Sequence, residues 1–176
     1  MIGRVAAMAA AVVLGLGGAA QAKVLRYQAT LSGHKVPTDT GSDATGAARI
    51  AVDTDAKTVD LSLDVTGITI DELWRQLVAA PIGPVHLHSY GGHDHSNPDA
   101  SALILPVPMG PAYTATAKGF HVEVKGYKYD AGAALLHSTA TFDDFLMSLQ
   151  HGGIVLNIHT NTEHDGEISG EVVPAG

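Results

Sequence analysis

Residues 59–65 alternate apolar and polar side chains without a break. Val59, Leu61, Leu63 and Val65 fall on one parity, Asp60, Ser62 and Asp64 on the other. Successive side chains of a strand point to opposite faces, so this segment reads as a strand with one face in a core and one in water. Similar short runs recur along the chain: 24–31, 47–52, 84–88, 102–107, 119–124, 154–158 and 167–173, with 134–139 as a further strand. Gly, Pro, Asp and Asn separate them, and Asp53-Thr54-Asp55-Ala56-Lys57 forms a hairpin turn before residue 59.

Two segments break this rhythm. In Ile70–Val78, Leu73 and Leu77 together with Trp74 and Val78 lie at helical spacing behind Asp71 and Glu72, and Pro81 and Gly83 stop the helix. Thr141-Phe142-Asp143-Asp144 is a helix start, with Thr141 as N-cap and Asp144 three residues on, a shortened capping box. Phe145, Leu146 and Leu149 form its buried stripe, and Gly152-Gly153 end it. Seven to nine short strands with two short helical insertions predict an all-β fold, a Greek-key sandwich or barrel. Helices this few and short exclude a parallel βαβ architecture.

The first 22 residues are expected to lie outside that fold. Arg4, a nearly all-apolar stretch over 5–16 and Ala20-Gln21-Ala22 have the order of a secretory signal peptide. The apolar stretch falls short of the ~20 residues of a membrane-spanning helix, so no stable membrane insertion is expected after its removal. Residues 23–176 then form a single domain in the periplasm or outside the cell. The chain has no cysteine, which excludes disulfides, thiolate metal sites and cysteine nucleophiles. A formal charge of −8 argues against nucleic acid as a partner.

The ten histidines equal the lysines and arginines combined, and imidazole is the commonest metal ligand among side chains. His86 and His88 flank Leu87; on a strand both rings point to one face and can converge on one ion. The loop Tyr90-Gly91-Gly92-His93-Asp94-His95 carries a second His-x-His, and its glycines allow it to fold back toward the strand end. His159 ends an apolar strand in Asn157-Ile158-His159, and His164 follows on the next turn. The candidate ligands are therefore His86, His88, His159, His164, His93 and His95, with Asp94 able to ligate or to orient a ligating ring. His34, His121, His137 and His151 read as structural or surface residues. Three or four imidazoles without thiolate suit copper, zinc, iron or nickel.

Three segments carry a family resemblance: Leu31-Ser32-Gly33-His34-Lys35-Val36-Pro37, Val85-His86-Leu87-His88, and Asn157-Ile158-His159-Thr160 followed by Gly166-Glu167-Ile168-Ser169-Gly170. In this order they resemble the CHRD domain, named for its occurrence in chordin and found also as a stand-alone exported bacterial protein. The resemblance spans residues 24–173. Lys35 stands where the family usually has glutamate, Ser169 and Glu171 where it has arginine and glutamine, and His164 or Glu163 where it has proline. The loop with His93 and His95 is also richer in histidine than the usual Gly-Asn loop. These departures favour a metal-binding variant over a generic adhesive module.

The His-x-His, Gly-rich loop and late histidine are also similar to copper–zinc superoxide dismutase, a Greek-key barrel. That resemblance implies His86, His88 and His159 as ligands of a redox metal; the chain shows no bridging histidine and no full zinc subsite, so a mononuclear centre of copper or iron is expected, with zinc as a further occupant. It implies an oxidoreductase acting on a small diffusible substrate such as superoxide. The alternatives are a non-catalytic periplasmic metal-binding or delivery protein and a metal-free structural or adhesive β domain.

Overall fold

A computed structural model describes residues 23–35, 37, 39–91, 94–97 and 100–176. The expected signal peptide and His93 lie outside the described residues. Ten strands form one antiparallel sheet: β1 (Val24–Ser32), β2 (Thr45–Asp53), β3 (Thr58–Thr66), β4 (Val85–Ser89), β5 (Ala102–Val107), β6 (Tyr113–Ala115), β7 (Gly119–Lys128), β8 (Ile154–Ile158), β9 (Ile168–Glu171) and β10 (Val173–Pro174). Three short helices, α1 (Arg75–Val78), α2 (Tyr129–Leu135) and α3 (Phe142–Gln150), lie between strands. The spatial order is β5-β4-β8-β9-β1-β2-β3-β7-β6, with β10 paired to β1.

Most strands consecutive in sequence are neighbours in space, but two long crossovers, β3 to β4 and β7 to β8, break the meander, and the short β5–β6 connection joins the two ends of the order. They bring β4 beside β8, and with them the two histidine segments. The sheet curls until its edges face each other. The Tyr113 hydroxyl of β6 donates to the Val107 carbonyl of β5 at 2.8 Å, and Pro106 of β5 and Tyr127 of β7 both pack on Gly132 of α2.

The alternation at 59–65 holds residue for residue: Val59, Leu61, Leu63 and Val65 are buried, and Asp60 and Asp64 are exposed. The preceding turn is tied by the Asp53 carboxylate, which accepts from the amides of Asp55 and Ala56 at 3.0 and 2.8 Å. The Thr141–Asp144 box also forms, Thr141 Oγ1 accepting from the Asp144 amide and the Asp144 carboxylate from the Thr141 amide. Phe142, Phe145 and Leu149 are buried, and Phe145 stacks on Tyr129 at 5.3 Å between centroids.

Two expectations are corrected. Residues 134–139 are not a strand: α2 reaches Leu135, and the chain then turns through His137 at φ 50°. Tyr129, Gly132 and Ala133 give α2 its buried face, which a four-residue Ala–Leu run does not reveal by itself. The helix expected over Ile70–Val78 is two pieces, a 3₁₀ turn at Ile70–Glu72 and α1. The break falls at Trp74, whose amide donates to the His159 carbonyl at 3.0 Å instead of continuing the helix. Among the described residues no helix is long and apolar enough to cross a membrane.

Candidate metal centre

β4 and β8 have two dry faces. Val85, Leu87, Leu156 and Ile158 point into the apolar core. Alternation puts His86, His88, Asn157 and His159 on the other face, and the register confirms it: His86 lies opposite Asn157, and His88 opposite Val155. The His159 amide extends the ladder by donating to the Pro84 carbonyl at 2.9 Å. This second face is buried because other segments cover it, so His86 is 3% exposed and His159 6%.

One cover is the segment after β4. The Tyr90 amide donates to the Gly153 carbonyl at 2.8 Å, and His95 sits with Nε2 at 2.9 Å from the Gly152 carbonyl and Nδ1 at 3.1 Å from the Glu171 carboxylate. The other cover comes from the first crossover and the turn after β8. Leu73 bridges Thr160, the Asn161 amide donates to the Glu72 carbonyl at 2.9 Å, and Asn161 Oδ1 accepts from the Arg75 amide at 3.2 Å.

Three imidazoles converge in this enclosure. Ring centroids are 4.4 Å apart for His86–His159, 4.8 Å for His86–His88 and 6.1 Å for His88–His159. One potential ligand nitrogen from each lies within 4.8 Å of the other two. Each Nδ1 is engaged: His86 with the Gly83 carbonyl at 3.0 Å, His88 with Ser101 Oγ at 3.1 Å, His159 with the His164 carbonyl at 2.7 Å. A carbonyl only accepts, so His86 and His159 carry their proton on Nδ1 and present a lone pair at Nε2. The Nε2 atoms of His88 and His159 are buried with no hydrogen-bond partner.

Burial is the largest cause that lowers the pKa of all three rings; repulsion from neighbours in the cluster adds to it for His86 and His88, while for His159 the His164 carbonyl and Asp165 partly oppose it. His86 goes well below the ordinary histidine value, His88 to about 4, and His159 in the same direction. The rings are therefore neutral at pH 7, and the Nε2 atoms of His88 and His159 sit without a partner in a dry space. Such an arrangement is costly empty and is offset by a cation.

The chemistry of the donors fits one transition metal. Three neutral imidazole nitrogens are a standard set for copper and zinc, each ring oriented through its other nitrogen. Bonds of 2.0–2.1 Å put two ligand nitrogens at most about 4.2 Å apart, so the rings close slightly on an ion.

Gly83 supports the arrangement directly. Its φ is +76°, and a Cβ there would lie 1.9 Å from the Val107 carbonyl oxygen. Only glycine lets this turn present its carbonyl to His86 while passing so close to β5.

The other candidates do other work. Both ring nitrogens of His95 face acceptors in the loop anchor, so neither offers a free lone pair to an ion. The exposed His164 ring stacks on Trp74 at 4.3 Å and 12°, and only its backbone carbonyl touches the centre. Asp94 accepts from the Ser96 amide and hydroxyl at 3.0 and 2.6 Å. Sequence reasoning did not single out Ser101, Gly83 or Trp74, whose partners are distant or local to a turn. It also passed over Asn157, although Asn157-x-His159 has the same two-residue spacing as His86-x-His88.

The CHRD domain family model matches residues 27–172. No curated protein and no solved structure matches the chain. The match runs from β1 to the end of β9, including both strands that carry the histidines. The chain belongs to the CHRD domain family.

Proposed function

We propose that this chain is an exported metal-binding protein that holds a single transition-metal ion through His86, His88 and His159. One observation carries the reading: three imidazoles, His86 and His159 buried and His88 half-buried, each engaged at Nδ1, bring one potential ligand nitrogen apiece within 4.8 Å of one another. Copper is the favoured ion. Iron is less favoured because no carboxylate joins the cluster among the described residues, whereas mononuclear non-haem iron sites commonly use two histidines and a carboxylate. Zinc fits the same nitrogens.

Bound copper would supply one-electron chemistry. What this chain supplies is a dry enclosure, fixed ring orientations and three nitrogens. The enzymatic form of the proposal, an oxidoreductase acting on a small diffusible substrate such as superoxide, additionally requires a coordination position that opens to the substrate. Binding and delivery without turnover is the simpler form and needs only the ligand set. Export rests on the composition of residues 1–22.

The test is elemental analysis of protein isolated from its native compartment, followed by Cu(II) and Zn(II) titration of the ion-free protein. One equivalent of metal is expected, with loss of that stoichiometry in His159→Ala. Protein that is isolated metal-free and binds neither ion leaves the adhesive β domain as the correct reading. Superoxide consumption by the copper-loaded protein separates turnover from storage.

A further inference from the structure

The centre contains a fourth polar group. Asn157 is 2% exposed, and its Oδ1 is buried with no hydrogen-bond partner. A buried amide oxygen left in this state costs on the order of 1–3 kcal/mol, so a native structure keeps one for a reason.

Its position supplies that reason. Asn157 lies directly across from His86 in the β4–β8 ladder, diagonal to His88, and two residues before His159 on its own strand. Directly opposite and diagonal partners on one face are within side-chain reach. His86 and His88 therefore flank this residue on the β4 side and His159 along its own strand, while Ser169 of β9 lies directly across from it on the other side. Gly166, at φ +114°, brings backbone against the amide: a Cβ there would meet Asn157 Nδ2 at 3.3 Å. The nitrogen end of the amide thus packs against the turn after β8, which leaves the oxygen end for the histidine face.

We infer that Asn157 is the fourth donor of the centre, its side-chain oxygen facing the ion held by His86, His88 and His159. This rests on the metal-binding reading above and sharpens it. The acceptors His159 Nε2 and Asn157 Oδ1 and the unpartnered His88 Nε2 share one buried face, and with the His88 proton on Nδ1 a single cation satisfies all three. A neutral amide oxygen is a weak donor, so it closes the nitrogen set without adding charge. A centre closed in this way holds its ion more firmly than three imidazoles alone and opens less readily to a substrate.

The experiment uses the purified protein with Cu(II) and Zn(II) as probes and four chains: wild type, His159→Ala, Asn157→Leu and Asn157→Asp. Affinity is read by competition with a chromophoric chelator, the copper environment by electron paramagnetic resonance, and folding by melting of each ion-free chain. Asn157→Leu is expected to weaken binding by about tenfold, the low end for groups that support a metal site, with no fall in melting temperature. Asn157→Asp is expected to tighten binding and to alter the copper spectrum. The inference is overturned if Asn157→Leu binds as tightly as wild type with the same copper spectrum. It is also overturned if weaker binding comes with a lower ion-free melting temperature, because the amide would then be a structural hydrogen-bonding group. Wild type binding one ion and His159→Ala losing it would leave the metal reading standing in either case. Wild type binding neither ion would remove both.

Discussion

His121 and the cluster of His86, His88 and His159 occupy the same sheet under opposite conditions. His121 lies on the wet face of β7, with Nδ1 2.7 Å from the Asp64 carboxylate and Nε2 3.4 Å from that of Glu123. Lys125 completes the row, 3.0 Å from Glu123. Each polar group there has a partner and water beside it. On the β4–β8 face the rings have no carboxylate among them and little water, and two nitrogens have no partner at all. The sheet geometry is the same in both places; what differs is the cover. Loops anchored by His95 and Trp74 turn an outward face into an interior one, and the histidines there converge on one another instead of on carboxylates.

The largest expected effect separates the two regions. His88→Ala is expected to reduce copper and zinc affinity by more than about a hundredfold, beyond the range seen when only a supporting group is removed. His121→Ala is expected to leave affinity unchanged in the same chelator competition. Equal losses in both variants would mean that metal binds the surface at large.

Acid should act on the covered region next. An unfolded histidine gains its proton near 6.5, whereas the three buried rings do so only at lower pH, His88 at about 4. Below about 6.5 the unfolded chain therefore binds more protons than the folded one. The ion-free protein keeps this contribution above that pH and loses it as pH falls toward 4, by up to about 1.4 kcal/mol per pH unit for each ring. Urea midpoints at pH 7 and pH 5 measure the effect. His88→Gln should show a shallower dependence than wild type, and identical slopes would show that the ring is not held neutral by burial.

Ser101 tests the orientation of the rings. Removing its hydroxyl in Ser101→Ala frees His88 Nδ1 and is expected to cost about tenfold in metal affinity. An unchanged dissociation constant would show that packing alone orients His88. The smallest effect belongs to the wet face. His121→Ala is expected to change stability by only about 0.2–1 kcal/mol, the usual worth of an exposed ion pair, and by less at high salt. A change of several kcal/mol in a denaturant titration would place His121 in a network as demanding as the buried one.

Much of this was legible in the residues because periodicity reports local faces well. The alternation at 59–65, the His86-x-His88 pair and the Thr141–Asp144 cap each depend on neighbours a few positions away, and each appears as read. Periodicity does not report which outward face the rest of the chain will cover. His95 was read with the ligands because it sits in a His-rich loop, but its partners, Gly152 and Glu171, lie far along the chain. The helix over 70–78 was overruled in the same way, by the Trp74–His159 hydrogen bond across the crossover. Asn157 stayed unremarked because an asparagine in an apolar strand acquires meaning only once the register places it opposite His86.

Trp74 is the chain's single tryptophan, its ring stacked on the imidazole of His164 and 6.5 Å from that of His159 between centroids. All intrinsic indole emission from this protein therefore originates beside the histidine cluster. Copper quenches a fluorophore at that range, while zinc, with a filled d shell, alters its surroundings without quenching. Filling and emptying can thus be followed by light, with the two ions told apart and no label attached.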